Sequence, residues 1–541
     1  MPTLPSSRTA WVSAALLSCV ASCSHPNGLP PPPDQSAGQK AAWQLAPEDA
    51  MGGVVIGDLG QFLDRMRAFK ALLDTGPATR AWLQKGTARA IVALGFDPLD
   101  AEGWKRAGVD PNGPVGFFAG EHDRMQLVFR ATDGQKAHDT AQGWLARSGS
   151  AVQLDCGAAG ALYRCGDGAN AWAPASDATH SLWARMEKDL TSEVRSMGVL
   201  GYAPLDVGPA QVALHASANK FRAAWLGLTF APERFILRAG FRGDNATRAG
   251  DLFKPRQGKS LLGLGAGAYS VWRGTFSPDR LWALAQKQLG PQLEQGTQLA
   301  LAVTGIDIEK ALVNNLTGEV LVVNYRAPKL GPDGKPRPLG DRTGAAVVIG
   351  TMDDQETRKL ADRLGELGSG ALARFSSEVK QAGMDAAYDK EAGDRPVHWF
   401  TVTPSGIFDP TKPNEPQLSK IELFLTTIPG GLVIGEGRTT LPELKKRIGK
   451  RPSAFLDKLP RAEARAAFDH DWFSAWMSIG EPFAQKFDAM KQSPELAALL
   501  GPDGGPLLNE LTQLGQLLYD ATVSVDVKDD RVQMLYEVTF L

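Results

Sequence analysis

Gly95-Phe96-Asp97-Pro98 leads, within a couple of dozen residues, to the apolar run Val115-Gly116-Phe117-Phe118, and Gly305-Ile306-Asp307-Ile308 leads likewise to Val320-Leu321-Val322-Val323. The segments C-terminal to these two stretches match as well. Gln126 to Leu145 (QLVFRATDGQKAHDTAQGWL) and Ala346 to Leu364 (AVVIGTMDDQETRKLADRL) align with a constant offset of 220, which places Asp133 on Asp353, Gln135 on Gln355, Ala141 on Ala361 and Trp144 on Leu364. Each copy reads as a strand that ends in an Asp-capped helix. A unit used twice predicts a tandem duplication.

Working outward, each copy opens on a strand followed by a helix. Gly53-Val54-Val55-Ile56 precedes Asp58 as N-cap, with Phe62, Met66, Phe69 and Leu73 at helical spacing. In the second copy an apolar, Gly-rich strand is predicted from Leu261 to Trp272, and Ser277-Pro278 starts a helix whose buried face would carry Leu281, Leu284, Ala285 and Leu289. Leu205-Asp206 with Pro209 corresponds to Leu456-Asp457 with Pro460, each before a short apolar strand. Each copy closes on a hairpin: Leu226–Phe230 with Phe235–Phe241, and Val523–Val527 with Val532–Val538. Strands outnumber helices and sequence neighbours look antiparallel. The predicted class is α+β: two tandem copies of a mainly antiparallel sheet with helices packed on one face. The predicted boundaries are residues 43–245 and 255–541, joined through Gly243 to Lys259.

The second copy carries additions: polar loops at Ala327–Arg342 and Pro404–Pro416, and a longer insertion at 472–519. Trp472, Phe473, Trp476, Ile479, Phe483 and Phe487 give that insertion an apolar helical stripe. It reads as a helical hairpin over a sheet face. Alternatively, Trp472, Trp476 and Phe483 line a ligand groove or a partner surface, since function is often grafted onto such elaborations.

The 541 residues carry 58 basic and 60 acidic side chains, scattered through both halves, so no electrostatic footprint for nucleic acid exists. Residues 1–22 read as a targeting segment, with Arg8 before an apolar run from Ala10 to Ala21 that is too short for a membrane span of about 20 residues. Val20-Ala21-Ser22-Cys23 resembles the lipobox of bacterial lipoproteins, in which the cysteine is acylated. The competing reading is an ordinary cleaved secretory signal. Residues 23–42 then form a Pro-rich tether, with Pro30–Pro33 in extended polyproline. Several acyl chains on Cys23 exceed the two signals that a stable anchor needs. By resemblance to bacterial lipoprotein sorting, Ser24 directs the chain to the outer membrane, facing the periplasm or the cell surface. In that oxidising compartment Cys156 and Cys165, flanking GAAGALYR, pair as a disulfide; a metal site is the alternative, but histidines are lacking nearby.

The Gly-Phe-Asp-Pro stretch with Gly113-Pro114-Val115, and its counterpart with Gly318-Glu319-Val320, resemble the DUF3352-like secreted and lipid-anchored bacterial proteins. That resemblance covers most of the chain after the tether. It implies architecture and compartment, carries no catalytic residues to transfer, and departs at Ile308, which stands where Pro98 does in the first copy.

Motifs for chemistry are sparse. No His-Glu-x-x-His, Walker loop or Gly-x-Ser-x-Gly elbow occurs. Gly263-x-Gly265-x-Gly267 reads as a strand interior or a close backbone approach. Ser377-x-x-Lys380 has the spacing of penicillin-recognising enzymes without their companion motifs. Asp469-His470-Asp471 is the sharpest ionisable cluster; on a strand, only its two carboxylates would share a face. No cofactor and no metal site are indicated, and no motif requires an enzyme. The predicted function is a non-enzymatic, lipid-anchored envelope protein that binds or scaffolds another envelope protein. Its rivals are a carrier or sensor of a hydrophobic ligand, and a hydrolase gathering His215, His398 or His470 with carboxylates.

Overall fold

A computed structural model describes residues 35–540 apart from 48–49, 75, 121–123, 148–152, 168–180, 206–220, 232–233, 244–249, 327–342, 382, 405–420, 460–461, 480–505, 507, 511, 514–517 and 529. Cys23, His215, Phe483, Phe487, Asp206 and Pro209 lie outside the described residues. The chain divides into two compact units. The first comprises residues 1–246, 479–521 and 530–541, and the second residues 247–478 and 522–529. Both are α+β with antiparallel sheets.

In the first unit, α1 (Ser36–Trp43) precedes β1 (Ala50–Ile56), α2 (Leu59–Leu73), α3 (Pro77–Leu94), α4 (Ala101–Arg106), β2 (Val115–Gly120), β3 (Met125–Phe129) and α5 (Gly134–Arg147). Then come β4 (Leu154–Ala159), β5 (Leu162–Asp167), α6 (Leu182–Asp189), α7 (Ser192–Arg195), β6 (Val199–Pro204), β7 (Phe221–Ala231) and β8 (Arg234–Gly243). Antiparallel pairing gives the order β4-β5-β3-β2-β1-β6-β7-β8. Asp58 caps α2 by accepting from Gln61 N, as its position before the periodic run predicts. The helix α3 ends at Gly95, whose φ of 85° is the left-handed conformation that glycine adopts without a Cβ penalty.

In the second unit, β9 (Ser270–Thr275) leads to α8 (Pro278–Leu289), α9 (Pro291–Thr304), β10 (Leu316–Arg326), β11 (Thr343–Thr351), α10 (Asp354–Arg374), α11 (Ser376–Gln381), β12 (Met384–Glu391) and β13 (Val397–Pro404). After them run β14 (Ile421–Ile428), β15 (Gly431–Glu436), α12 (Thr440–Lys445), α13 (Ser453–Leu456), α14 (Ala462–His470) and β16 (Phe473–Ser478). The sheet order is β12-β13-β14-β15-β11-β10-β9-β16. Ser277 caps α8 through Arg280 N, and Asp353 caps α10 through Gln355 N and Glu356 N. Gly305, with φ 68°, ends α9. The last two strands are β17 (Leu518–Lys528) and β18 (Arg531–Phe540). The latter pairs with β8 from Arg531↔Arg242 to Thr539↔Arg234, inside the first unit.

Several sequence expectations are corrected. The tether does not extend to residue 42, because α1 is part of the first core: Gln39, Ala42 and Trp43 are fully buried, and Gln39 Nε2 donates to Val55 O and Met197 O. Phe473–Ser478 is a strand and not the start of a helical stripe. Its W-F-S-A-W-M-S run satisfies a period of two as well as 3.6, and β9 offers it an antiparallel edge. Leu261–Trp272 is not one strand: Leu262–Gly265 is a 3₁₀ turn, and β9 begins only at Ser270. Its glycines serve close approach, since a Cβ on Gly263 would overlap Lys450 O. Leu281, Leu284 and Leu289 do not face a core; all three are exposed. The segment assigned to the second copy also serves the first unit, where Glu510 accepts from Ala78 N and Thr79 N at 3.0 and 2.6 Å and caps α3, whose own N-cap is Gly76.

Cys156 and Cys165 face each other in the β4–β5 register with their sulfurs 2.11 Å apart. Opening that short loop, by reductant or by replacing both cysteines with serine, is expected to destabilise the first unit by about 2–3 kcal/mol. A urea midpoint unchanged between oxidised and reduced protein would contradict this.

Candidate functional site

The described residues gather one extended polar network inside a helix–sheet interface. His398 on β13 is completely buried. Its Nδ1 lies 2.8 Å from the Tyr388 hydroxyl on β12, and its Nε2 lies 3.0 Å from Asp362 Oδ1 on α10. Lys390 Nζ reaches the same Asp362 oxygen at 2.9 Å. A carboxylate only accepts, so Nε2 carries a proton, and in the neutral ring Nδ1 accepts from Tyr388. Register explains the gathering, because Lys390 pairs with His398 and Tyr388 with Phe400 across β12–β13. The helix comes close enough because it is bare at two positions. A Cβ on Gly365 would overlap the imidazole, and one on Gly368 would press on Phe400.

Burial alone would raise the Asp362 carboxyl, but hydrogen bonds from Lys390 and His398 outweigh it and hold the group below the usual carboxylate range. A depressed carboxylate contributes stability above its unfolded value and loses it as pH falls through its folded one. The network can therefore fasten α10 to the sheet near neutrality and loosen in acid. Solute cannot reach the His398 ring, and its two partners in the chain Tyr388–His398–Asp362 are each partly exposed. The geometry suits positioning better than catalysis.

The other sequence candidates are dispersed. Asp469 and His470 are exposed at the end of α14, so the expected strand placement of Asp469-His470-Asp471 is wrong; the helix continues through His470 before β16 begins. Asp471 alone turns inward. Burial pushes its carboxyl up to about 6, a hydrogen bond with Ser524 opposes that, and the Asp526 charge adds to it. Because the folded value exceeds that of a free carboxyl near 3.9, stability is fully present below about pH 4 and declines as pH rises through 6. Asp471→Asn is therefore expected to stabilise the protein at pH 8 by about 1–2 kcal/mol, after allowance for solvent screening of a half-buried group. The gain should vanish near pH 4, and an equal gain at both pH values would refute the assignment. Among the described residues no three His, Cys, Asp or Glu side chains gather as metal ligands.

Trp472 stacks on Phe253 at 4.2 Å between ring centroids, and Trp476 packs against Phe455 at 6.0 Å. Both rings are occupied by the fold itself. Ser377 Oγ bonds to Glu378 at 2.9 Å on an exposed turn of α11, and its next-turn lysine makes no described bond to it.

Periodicity mistook one face of α8 for core, and the neighbouring α9, on which the sequence reading made no assignment, is bare as well. Pro278 is the buried residue of α8, and α9 has none; Leu299, Leu301 and Val303 are 65%, 50% and 66% exposed. From Gln295 to Ile306 the sequence holds no charge. In the first unit Ile91 and Val92 are likewise exposed near the end of α3.

No protein-family model, no curated protein and no solved structure matches this chain.

Proposed function

We propose that this chain is a lipid-anchored protein of the bacterial cell envelope, fixed to the outer membrane through acylated Cys23 and related to the DUF3352-like proteins. Its twofold α+β body binds or scaffolds another envelope protein without catalysing a reaction of its own. The observation that carries this reading is the exposed apolar surface of α9, uncharged from Gln295 to Ile306, beside the exposed leucines of α8. Single exposed leucines are ordinary, but Leu299, Leu301 and Val303 together on a helix with no buried residue mark an interaction surface.

Duplication is the second half of the proposal, and several matched details support it. The order β4-β5-β3-β2-β1-β6 of the first unit parallels β14-β15-β11-β10-β9-β16 of the second. Gly86-Thr87 and Gly296-Thr297 occupy matching places in α3 and α9, and both helices stop at a left-handed glycine. Arg147 on α5 donates to Ala93 O and Leu94 O at the end of α3, and Arg363 on α10 donates to Thr304 O at the end of α9. A cation at a helix C-terminus satisfies free carbonyls and complements the dipole. In this reading β12–β13, with Tyr388, Lys390 and His398, are an addition of the second copy.

A photo-crosslinking residue at Leu299 or Val303, introduced in the native cells, tests the surface. One discrete adduct, lost in Leu301→Asp protein that still folds, supports it. Adducts absent there but present at control positions elsewhere would refute it.

A further inference from the structure

We infer that the second unit carries a glycan-binding platform on the half of its sheet that α10 leaves open. The opposite face is closed by a core in which Val271, Leu321, Val323, Val348 and Val433 are fully buried or nearly so. On the α10 side, Ile349, Leu425 and Leu432 pack against Leu360 and Ala361 of the helix. Beyond them the same face is bare: Trp272, Leu423 and Ile434 are 44%, 42% and 44% exposed.

Register joins these side chains into one surface. Trp272 on β9 stands opposite Val322 on β10, Val322 opposite Val347 on β11, and Val347 opposite Ile434 on β15. Directly opposed residues share a face, and adjacent strands lie about 4.8 Å apart, so this apolar row runs about 14 Å. The tryptophan is held in place on it. Its Nε1 donates to Ser270 Oγ at 2.9 Å, and Phe473 on β16 meets the ring edge-on at 6.3 Å. An indole fixed on a sheet binds a ligand with little ordering of its own.

Polar groups border the row. Asn324 stands opposite Ser270 and Glu436 opposite Leu423, two residues along their strands from Val322 and Ile434, so both project from the platform face. Asn324 is partly exposed and Glu436 exposed, and neither side chain makes a hydrogen bond among the described residues. The amide offers donors and an acceptor, and the carboxylate offers acceptors.

This combination points to a ligand class. An acyl chain has nothing to offer the amide or the carboxylate and favours an enclosed cavity. The centre of a protein interface is poor in charged groups. A sugar ring meets both demands: its weakly positive C–H bonds lie against the negative face of an indole, and its hydroxyls reach the bordering polar groups. A β-1,4-linked oligosaccharide is flat and extended enough to follow the row. An acetamido substituent adds an N–H for Glu436 and a carbonyl for Asn324. The corresponding row of the first unit is Val54, Phe117, Leu127 and Cys165, with no tryptophan, so one site per chain is expected.

The full-length protein, in neutral detergent, is titrated calorimetrically with chitotetraose, which carries acetamido groups, and separately with cellotetraose, which carries hydroxyls alone. Binding of either at one site per chain supports the inference, and binding of chitotetraose alone identifies the acetamido group as the selected feature. Trp272→Ala is expected to weaken binding about tenfold, as loss of one aromatic stack would. Its unfolding midpoint is recorded alongside. Should that variant unfold early, the paired change Asn324→Ala with Glu436→Ala, at side chains without partners, carries the same test. Failure of both sugars to bind, or binding unchanged in the folded variants, would overturn the inference. A mass that doubles with concentration and returns to one chain in Trp272→Ala would assign the face to a second copy instead, and would overturn it too. The platform shares no residue with α9 and does not depend on Cys23, so its failure leaves the protein-binding reading intact.

Discussion

Trp43→Ala should cost the first unit about 3–5 kcal/mol, the range for removing a fully buried tryptophan. The ring is completely buried and meets Phe118 edge-on at 5.1 Å and Tyr202 at 6.2 Å. Its Nε1 donates to Gln39 Oε1 at 3.1 Å, and that amide in turn donates to Val55 O and Met197 O. The substitution thus empties a cavity and unties the side chain that joins α1 to β1 and the segment before β6. Trp43→Phe keeps most of the volume and should cost distinctly less. Urea unfolding, combined with amide exchange on β1 and β2, measures both. A loss under about 1 kcal/mol for the alanine variant would show that α1 is not integral to this core.

Gly365→Ala should destabilise the second unit by about 2–3 kcal/mol, although glycine-to-alanine in a helix normally stabilises by about 1 kcal/mol. The inversion comes from the imidazole. Residue 365 faces His398 so closely that a methyl group must displace the ring, and displacement breaks its bonds to Tyr388 and Asp362. Overpacking and lost polar pairing then outweigh helix propensity. A double-mutant cycle isolates the cause. His398→Ala should be costly alone but much cheaper in the Gly365→Ala background, where the ring has already lost its place. Additive losses would mean that Gly365 and His398 act independently.

The sequence was most legible where a local rule is strong. Asp58, Ser277 and Asp353 announce helix starts because a short oxygen before an apolar periodic run has one favourable use. Gly95 and Gly305 announce helix ends for a comparable reason, since the left-handed turn suits glycine. Legibility failed where tertiary context decides. Trp472 to Ser478 fits two periods, and the choice was made by the edge of β9. The apolar spacing of Leu281, Leu284 and Leu289 predicts a covered face, but periodicity says nothing of what covers it. Ser36–Trp43 follows a proline run and is only eight residues long, so composition hid a helix that packing supports. The His398 network was hardest to read, because Asp362 lies 36 residues from its histidine and the glycines that admit the ring look like flexible punctuation.

The central claim is that an acylated Cys23 holds a protein-binding body at the membrane. Native mass spectrometry of the protein gently extracted from its own membrane measures the N-terminal mass and whatever travels with it. The account predicts a mature chain that begins at acylated Cys23 and carries a second polypeptide in fixed ratio, with the complex lost when Leu299 and Val303 are replaced by aspartate. An unacylated chain cleaved elsewhere and released as a lone monomer would contradict the account.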